Sequence, residues 1–169
     1  MNTASFIEEI DAATALLKKA VAAFSAEQFR EAPGGKWSAA LIVEHLLLVE
    51  SSINKLFDLK GEEAGRLPSK KTDLIVMALG DDEKKFNSPE MHIPSGKYPD
   101  VSVVEDLAVI RTQIKEKALA TNPDEMITIK HPALGLLTRL EWIQFLIHHS
   151  NRHARQIQML SHQLNQVRL

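Results

Sequence analysis

The sequence predicts an all-α fold, a four-helix bundle, on three observations. Apolar residues recur at three-four spacing along four long segments, which is the pattern of helices that each bury one face. Three of those segments open on a Ser/Thr-x-x-Glu capping box, in which a hydroxyl and a carboxylate each satisfy a free backbone N–H. Between the second and third segments, residues 60–100 carry Pro68, Pro89, Pro94 and Pro99 with Gly61, Gly65, Gly80 and Gly96, and these break every periodic pattern. A connection of that length allows the third helix to lie parallel to the second, which a tight turn does not.

The first helix is expected from Ser5, as the start of Ser5-Phe6-Ile7-Glu8, to about residue 24, with Ile7, Ile10, Thr14, Leu17, Val21 and Phe24 on its inner face. Pro33-Gly34-Gly35 stops the chain. The second helix restarts at Ser38 as N-cap, with Trp37 placed to staple onto Ile42, and runs to about Leu59. Within the crossover, one short helix is expected over 72–79 and irregular chain around Asn87-Ser88-Pro89 and Pro94-Ser95-Gly96. The third helix opens on Ser102-Val103-Val104-Glu105 and ends near Ala120, before Asn122-Pro123. A short extended stretch over 126–130 precedes His131-Pro132-Ala133-Leu134-Gly135, and Thr138 with Glu141 caps a fourth helix that reaches about Leu164.

A chain of 169 residues fits one domain, read here as 1–169 with 60–100 as its crossover; at this length a fold buries roughly 68–70% of the unfolded surface. Hydrophobic residues make up 44% and the net charge is −2, so neither a disordered chain nor a nucleic-acid footprint is indicated. No apolar run approaches the roughly 18 residues of a membrane span, and the first residues meet Glu8, Glu9 and Asp11 instead of a cationic start to an apolar run. Cysteine is absent, which removes disulfides, thiolate ligands and a nucleophilic thiol of the chain's own. These features together favour the cytoplasm as location and a small molecule as partner, with no membrane and no nucleic acid.

The chemistry is concentrated in the histidines. His149 and His153 are four residues apart, so they project within roughly 40° of each other from the fourth helix, on the face that carries Trp142, Phe145, Leu146, Gln156 and Leu160. A desolvated imidazole without a partner costs roughly 1–3 kcal/mol, and one metal ion satisfies two together. His45 holds a comparable place on the second helix among Leu41, Ile42, Leu48, Val49 and Ser52, which makes a three-histidine site the leading reading. Three neutral imidazoles leave a coordination position for water, as in catalytic zinc sites.

The other polar residues carry weaker signals. His148 points about 100° from His149, and His162 about 180° from His153, toward solvent. His92 and His131 lie in irregular segments, and His131 is kept as a distant contact of the site. Gln156 and Ser52 are candidates to orient an imidazole or a bound water. Arg111, central on the stripe of the third helix, is read first as paired with a buried carboxylate, and as a site for an anionic substrate group if it is not paired. Glu44 and Glu50 point about 100° and 140° away from His45 and are expected in solvent. His92 or Asp100 of the crossover could supply a fourth ligand.

Lys36-Trp37-Ser38, Glu44-His45-Leu46, His131-Pro132-Ala133-Leu134-Gly135, and the run from His149 through His153 to Gln156-Ile157 together resemble the DinB-like superfamily of metalloenzymes over nearly the whole chain. The most specific piece is an early histidine in helix two combined with His-x-x-x-His and Gln-Ile in helix four. The resemblance implies a four-helix bundle with a long second connection. It also implies one divalent metal, zinc or nickel, on His45, His149 and His153, and a homodimer as a family-level expectation. Leu41 departs from the acidic residue frequent after the Trp-Ser pair, but the ligand positions are intact. Some relatives are transferases or isomerases that use an exogenous low-molecular-weight thiol, mycothiol or bacillithiol, and others resemble hydrolases; function transfers poorly across such a fold. Three readings therefore stand open at this point: a metal-dependent hydrolase or thiol-dependent transferase, a non-catalytic metal- or ligand-binding bundle, and a metal-free cluster of polar histidines.

Overall fold

Four long helices, α1 (Thr3–Val21), α3 (Ala39–Leu56), α5 (Val103–Ala120) and α6 (Arg139–Val167), form the bundle of this computed structural model, which describes residues 3–98 and 100–167. Pro99, one of the prolines of the crossover, lies outside the described residues. Short elements fill the connections: α2 (Ala26–Arg30), α4 (Thr72–Gly80), single 3-10 turns at Pro33–Gly35 and Glu90–His92, and strands β1 (Met126–His131) and β2 (Gly135–Thr138).

The crossover does what its length allows. Glu50, Asn54 and Asp58 at the end of the second long helix bond in that order to Arg111, Gln113 and Lys117 of α5, so α3 and α5 run parallel. Lys18 with Glu105, Thr14 with Arg111 and Asp11 with Lys115 set α1 antiparallel to α5. The core divides into two apolar clusters, one around Phe6, Ile10, Ile53, Ile114 and Leu146, the other around Leu17, Phe29, Leu46, Leu107 and Ile157. Between them Thr14, Glu50, Arg111 and Ser150 form a polar layer.

Two caps act as the sequence indicates. Ser38 Oγ accepts from Leu41 N at 3.2 Å, and at the start of α6 Glu141 N donates to Thr138 Oγ1 while Thr138 N donates to Glu141. Glu141 does more than cap, because it also accepts both arms of Arg66 and the Lys71 N–H and so fastens the crossover to the bundle. The other two expected boxes do not form. Ser5 already lies inside α1 and bonds Glu9, one turn on, and Ser102 has helical dihedrals and no side-chain cap. Asp100 instead accepts from Ser102 N at 2.8 Å, an Asx turn that leads into α5.

The extended stretch forms as expected, and two other features differ from expectation. α2 is an added turn with a full box of its own, Ser25 with Gln28. The extended stretch at 126–131 is one arm of an antiparallel hairpin with β2, pairing Ile127 with Leu137 and His131 with Gly135. Glu44 and Glu50 are buried, not solvated. The reason is that α3 is covered on more than the His45 side: Glu50 meets Arg111 of α5, and Glu44 accepts from Ser95 N, Ser95 Oγ and Gly96 N of the crossover. Among the described residues no helix is long and apolar enough to cross a membrane.

A candidate metal centre of three histidines

α3 supplies His45 and α6 supplies His149 and His153, and the three rings meet. One nitrogen of each lies within 4.8 Å of the other two. His149 Nε2 is 3.1 Å from His153 Nε2 and 3.4 Å from His45 Nε2. The four-residue spacing brings the first pair together, and the antiparallel packing of α3 on α6 brings in the third. His45 is 3%, His149 9% and His153 8% exposed, so the nitrogens are nearly removed from bulk water.

Two rings have a fixed protonation pattern. His45 Nδ1 lies 2.8 Å from the His92 carbonyl oxygen, which only accepts, so Nδ1 carries the proton and Nε2 turns a lone pair inward. His153 Nδ1 donates to Gln156 Oε1 at 2.7 Å with the same consequence. His149 Nδ1 is buried and has no hydrogen-bond partner. A single proton on His149 Nε2 could serve only one of the two inward lone pairs well. One cation serves all three. Imidazole nitrogens bound to zinc at about 2.0–2.1 Å in a tetrahedral arrangement sit about 3.3 Å apart, close to the 3.1 and 3.4 Å that separate His149 Nε2 from the other two. The donor set therefore fits a divalent metal ion.

The surroundings hold the imidazoles neutral, the state a metal requires. Burial is the first cause for each: it lowers His45, with the His92 carbonyl opposing; it takes His149 well below the ordinary histidine value, with the charges of His153 and His45 acting in the same sense; and it takes His153 down to about 3. Phe145 stacks on the His149 ring at 5.0 Å, and Trp37 covers His45 at 5.2 Å.

The crossover closes one side of the site through main chain as well as side chain. The Ser52 hydroxyl donates to Leu48 O, so His92 Nε2–H donates to Ser52 Oγ at 3.0 Å, and the ring of His92 is latched to α3 while its carbonyl orients His45. Ser52 thus touches the triad only through His92, whereas Gln156 touches His153 directly. Neither residue raised as a fourth ligand takes that part: His92 is engaged with Ser52, and Asp100 with the start of α5. Arg111 stands in the polar layer. Its Nε and Nη2 grip both oxygens of Glu50 at 2.8 and 2.6 Å, and the guanidinium also donates to Thr14 and Ser150, so four of its five N–H groups are engaged and its charge is paired as expected. His148 is half-buried and His162 exposed. His131 reaches the site through Phe145, its ring 4.6 Å from the phenyl that stacks on His149.

Three comparisons with known proteins each give a match. The sequence profile of the DinB superfamily matches residues 9–157. The chain is 23% identical over 148 residues to the uncharacterized protein YuaE of Bacillus subtilis (strain 168), covering 85% of this chain and 89% of that one. Its fold is similar to that of YfiT from Bacillus subtilis, described as "a probable metal-dependent hydrolase with an unusual four-helix bundle topology". The TM-score is 0.54 at 15% identity, over 96% of this chain and 87% of the other.

Proposed function

We propose that this chain, which belongs to the DinB superfamily, is a metal-dependent hydrolase acting on a small molecule, with a divalent ion on His45, His149 and His153. The observation that carries the reading is the convergence of three Nε2 atoms, two of them left as lone pairs by bonds to His92 and Gln156. An all-imidazole set suits zinc or nickel. Bound there, such an ion lowers the pKa of water, or of an exogenous low-molecular-weight thiol, and supplies the nucleophile. The chain's own residues do the rest. The His92 carbonyl and Gln156 fix the ring orientations of two ligands; Trp37 and Phe145 exclude water from their flanks. The hydrolase description of YfiT supports water over thiol as the nucleophile.

Cobalt substitution tests this. With three protein ligands and a position open to solvent, the visible spectrum of the cobalt form should change on titration with azide, and with a small thiol if that is the co-substrate. A spectrum that neither additive alters marks a site closed by the protein, and a sensing or purely structural role in place of catalysis.

A further inference from the structure

The ring of His131 is fixed by the hairpin that carries it. Its Nδ1 accepts from Ala133 N and Leu134 N, both at 3.1 Å, so the remaining proton of the neutral ring is on Nε2. That Nε2–H donates to no group among the described residues. The residue is half-buried, unlike the sealed and unpartnered Trp142 Nε1 and His149 Nδ1 of the interior. The ring packs on Phe145 and Trp142, and its charge state is coupled to His149, to His92 on the crossover and to Lys71. Lys71 donates to the carbonyls of Leu134 and Leu136 on the same hairpin. Among the described residues this ammonium bonds these two carbonyls and forms no ion pair with a carboxylate. Glu141 accepts the backbone N–H of Lys71 and both arms of Arg66; Glu50 is paired with Arg111, and Glu44 is bonded to the crossover.

A neutral imidazole held by two amides, with one N–H left unpartnered among the described residues, one phenyl ring away from His149, and an ammonium of the crossover bonded to the same hairpin, is a binding group for an anionic oxygen. We infer that His131 donates its Nε2–H to a carboxylate oxygen of the substrate, with Lys71 supplying the complementary charge. This deepens the proposed function by naming an acidic small molecule as substrate class, and rests on it for the reaction though not for the binding.

The rival account is that His131 only caps its turn, and His131→Asn separates the two. Asparagine keeps a side-chain oxygen able to accept from the amide two residues on, but it cannot place an N–H where Nε2 stands. Zinc-loaded protein labelled with 15N in its histidines is titrated with acetate, following the His131 ring nitrogens, and zinc content and melting temperature are read on the same samples. The expected result is the Nε2–H tautomer in free protein and a saturable acetate shift at His131. In His131→Asn, acetate should bind about ten- to a hundredfold more weakly, the range for one hydrogen bond to a charged group, with zinc content and melting temperature as in wild type. An Nδ1–H tautomer, no saturable shift in wild type, or undiminished acetate affinity in His131→Asn overturns the inference. Should the wild-type protein fail to retain zinc, the metal reading fails on the content measurement alone, while the tautomer and the acetate titration still decide the role of His131.

Discussion

Replacing Arg111 by methionine should cost this protein more stability than any single change on its surface. The guanidinium makes four bonds: two to Glu50 at 2.8 and 2.6 Å, one to Thr14 at 2.9 Å and one to Ser150 at 2.6 Å. Arg111 is 1% exposed and Glu50 0%, so no water can replace the lost partner. Methionine fills much of the volume, which leaves the stranded carboxylate as the dominant cost, about 3–5 kcal/mol for a buried pair broken on one side. At about 2–4 °C per kcal/mol for a domain of this size, the melting temperature should fall by about 6–20 °C. The double variant Glu50→Leu/Arg111→Met removes both charges, and Thr14 keeps its bond to the Ile10 carbonyl, so most of the loss should return. Burial already pushes the Glu50 carboxyl above its ordinary value, with Arg111 pulling it back. Without Arg111 it rises further, so the folded variant binds a proton that the unfolded chain does not, and its deficit should shrink as pH falls toward the ordinary carboxyl range. Urea unfolding of the four members of the cycle at neutral and mildly acidic pH measures this. A single variant within about 1 kcal/mol of wild type, or a double variant no better than the single, would refute a charge-stranding account.

Two further outcomes follow from the bonds around the site. Gln156→Ala removes the oxygen that accepts from His153 Nδ1, and metal affinity measured against a competing chelator should fall about ten- to a hundredfold, with Gln156→Glu retaining most of it; unchanged affinity in the alanine variant contradicts an orienting role. Burial first, and then the charges of His92 and Lys71, take His131 down to about 4, so the folded protein carries fewer protons there than the unfolded chain between about 4 and the ordinary histidine value. Stability should therefore drop as pH falls through that window, by less in His131→Asn than in wild type; parallel urea midpoints across the window would show that His131 is not depressed.

What could be read from the sequence was local or periodic. The 3.6-residue repeat brings His149 beside His153, and Ser38 and Thr138 each stand three residues before the backbone N–H they cap. The Ser25-Ala26-Glu27-Gln28 box is equally local and follows the same rule, so α2 too is legible in the sequence. What could not be read depends on partners remote in sequence. Glu44 finds Ser95 across 51 residues and Glu50 finds Arg111 across 61, so an angle measured from His45 alone puts both in solvent when a second helix and a loop stand there. Ser102 fails as a cap because its own dihedrals are helical, so the Glu105 N–H bonds the Ser102 carbonyl, and Asp100 takes the Ser102 N–H that Glu105 would have accepted. At His92 it is the main-chain carbonyl that orients His45, and a backbone atom has no sequence signature.

The central claim is that His45, His149 and His153 hold one divalent ion. Elemental analysis of purified protein and of His45→Ala, His149→Ala, His153→Ala and the exposed control His162→Ala tests it most directly. The structure predicts close to one zinc or nickel per chain in wild type and control, and severe loss in each of the three site variants. Equal metal content across all five proteins would contradict it.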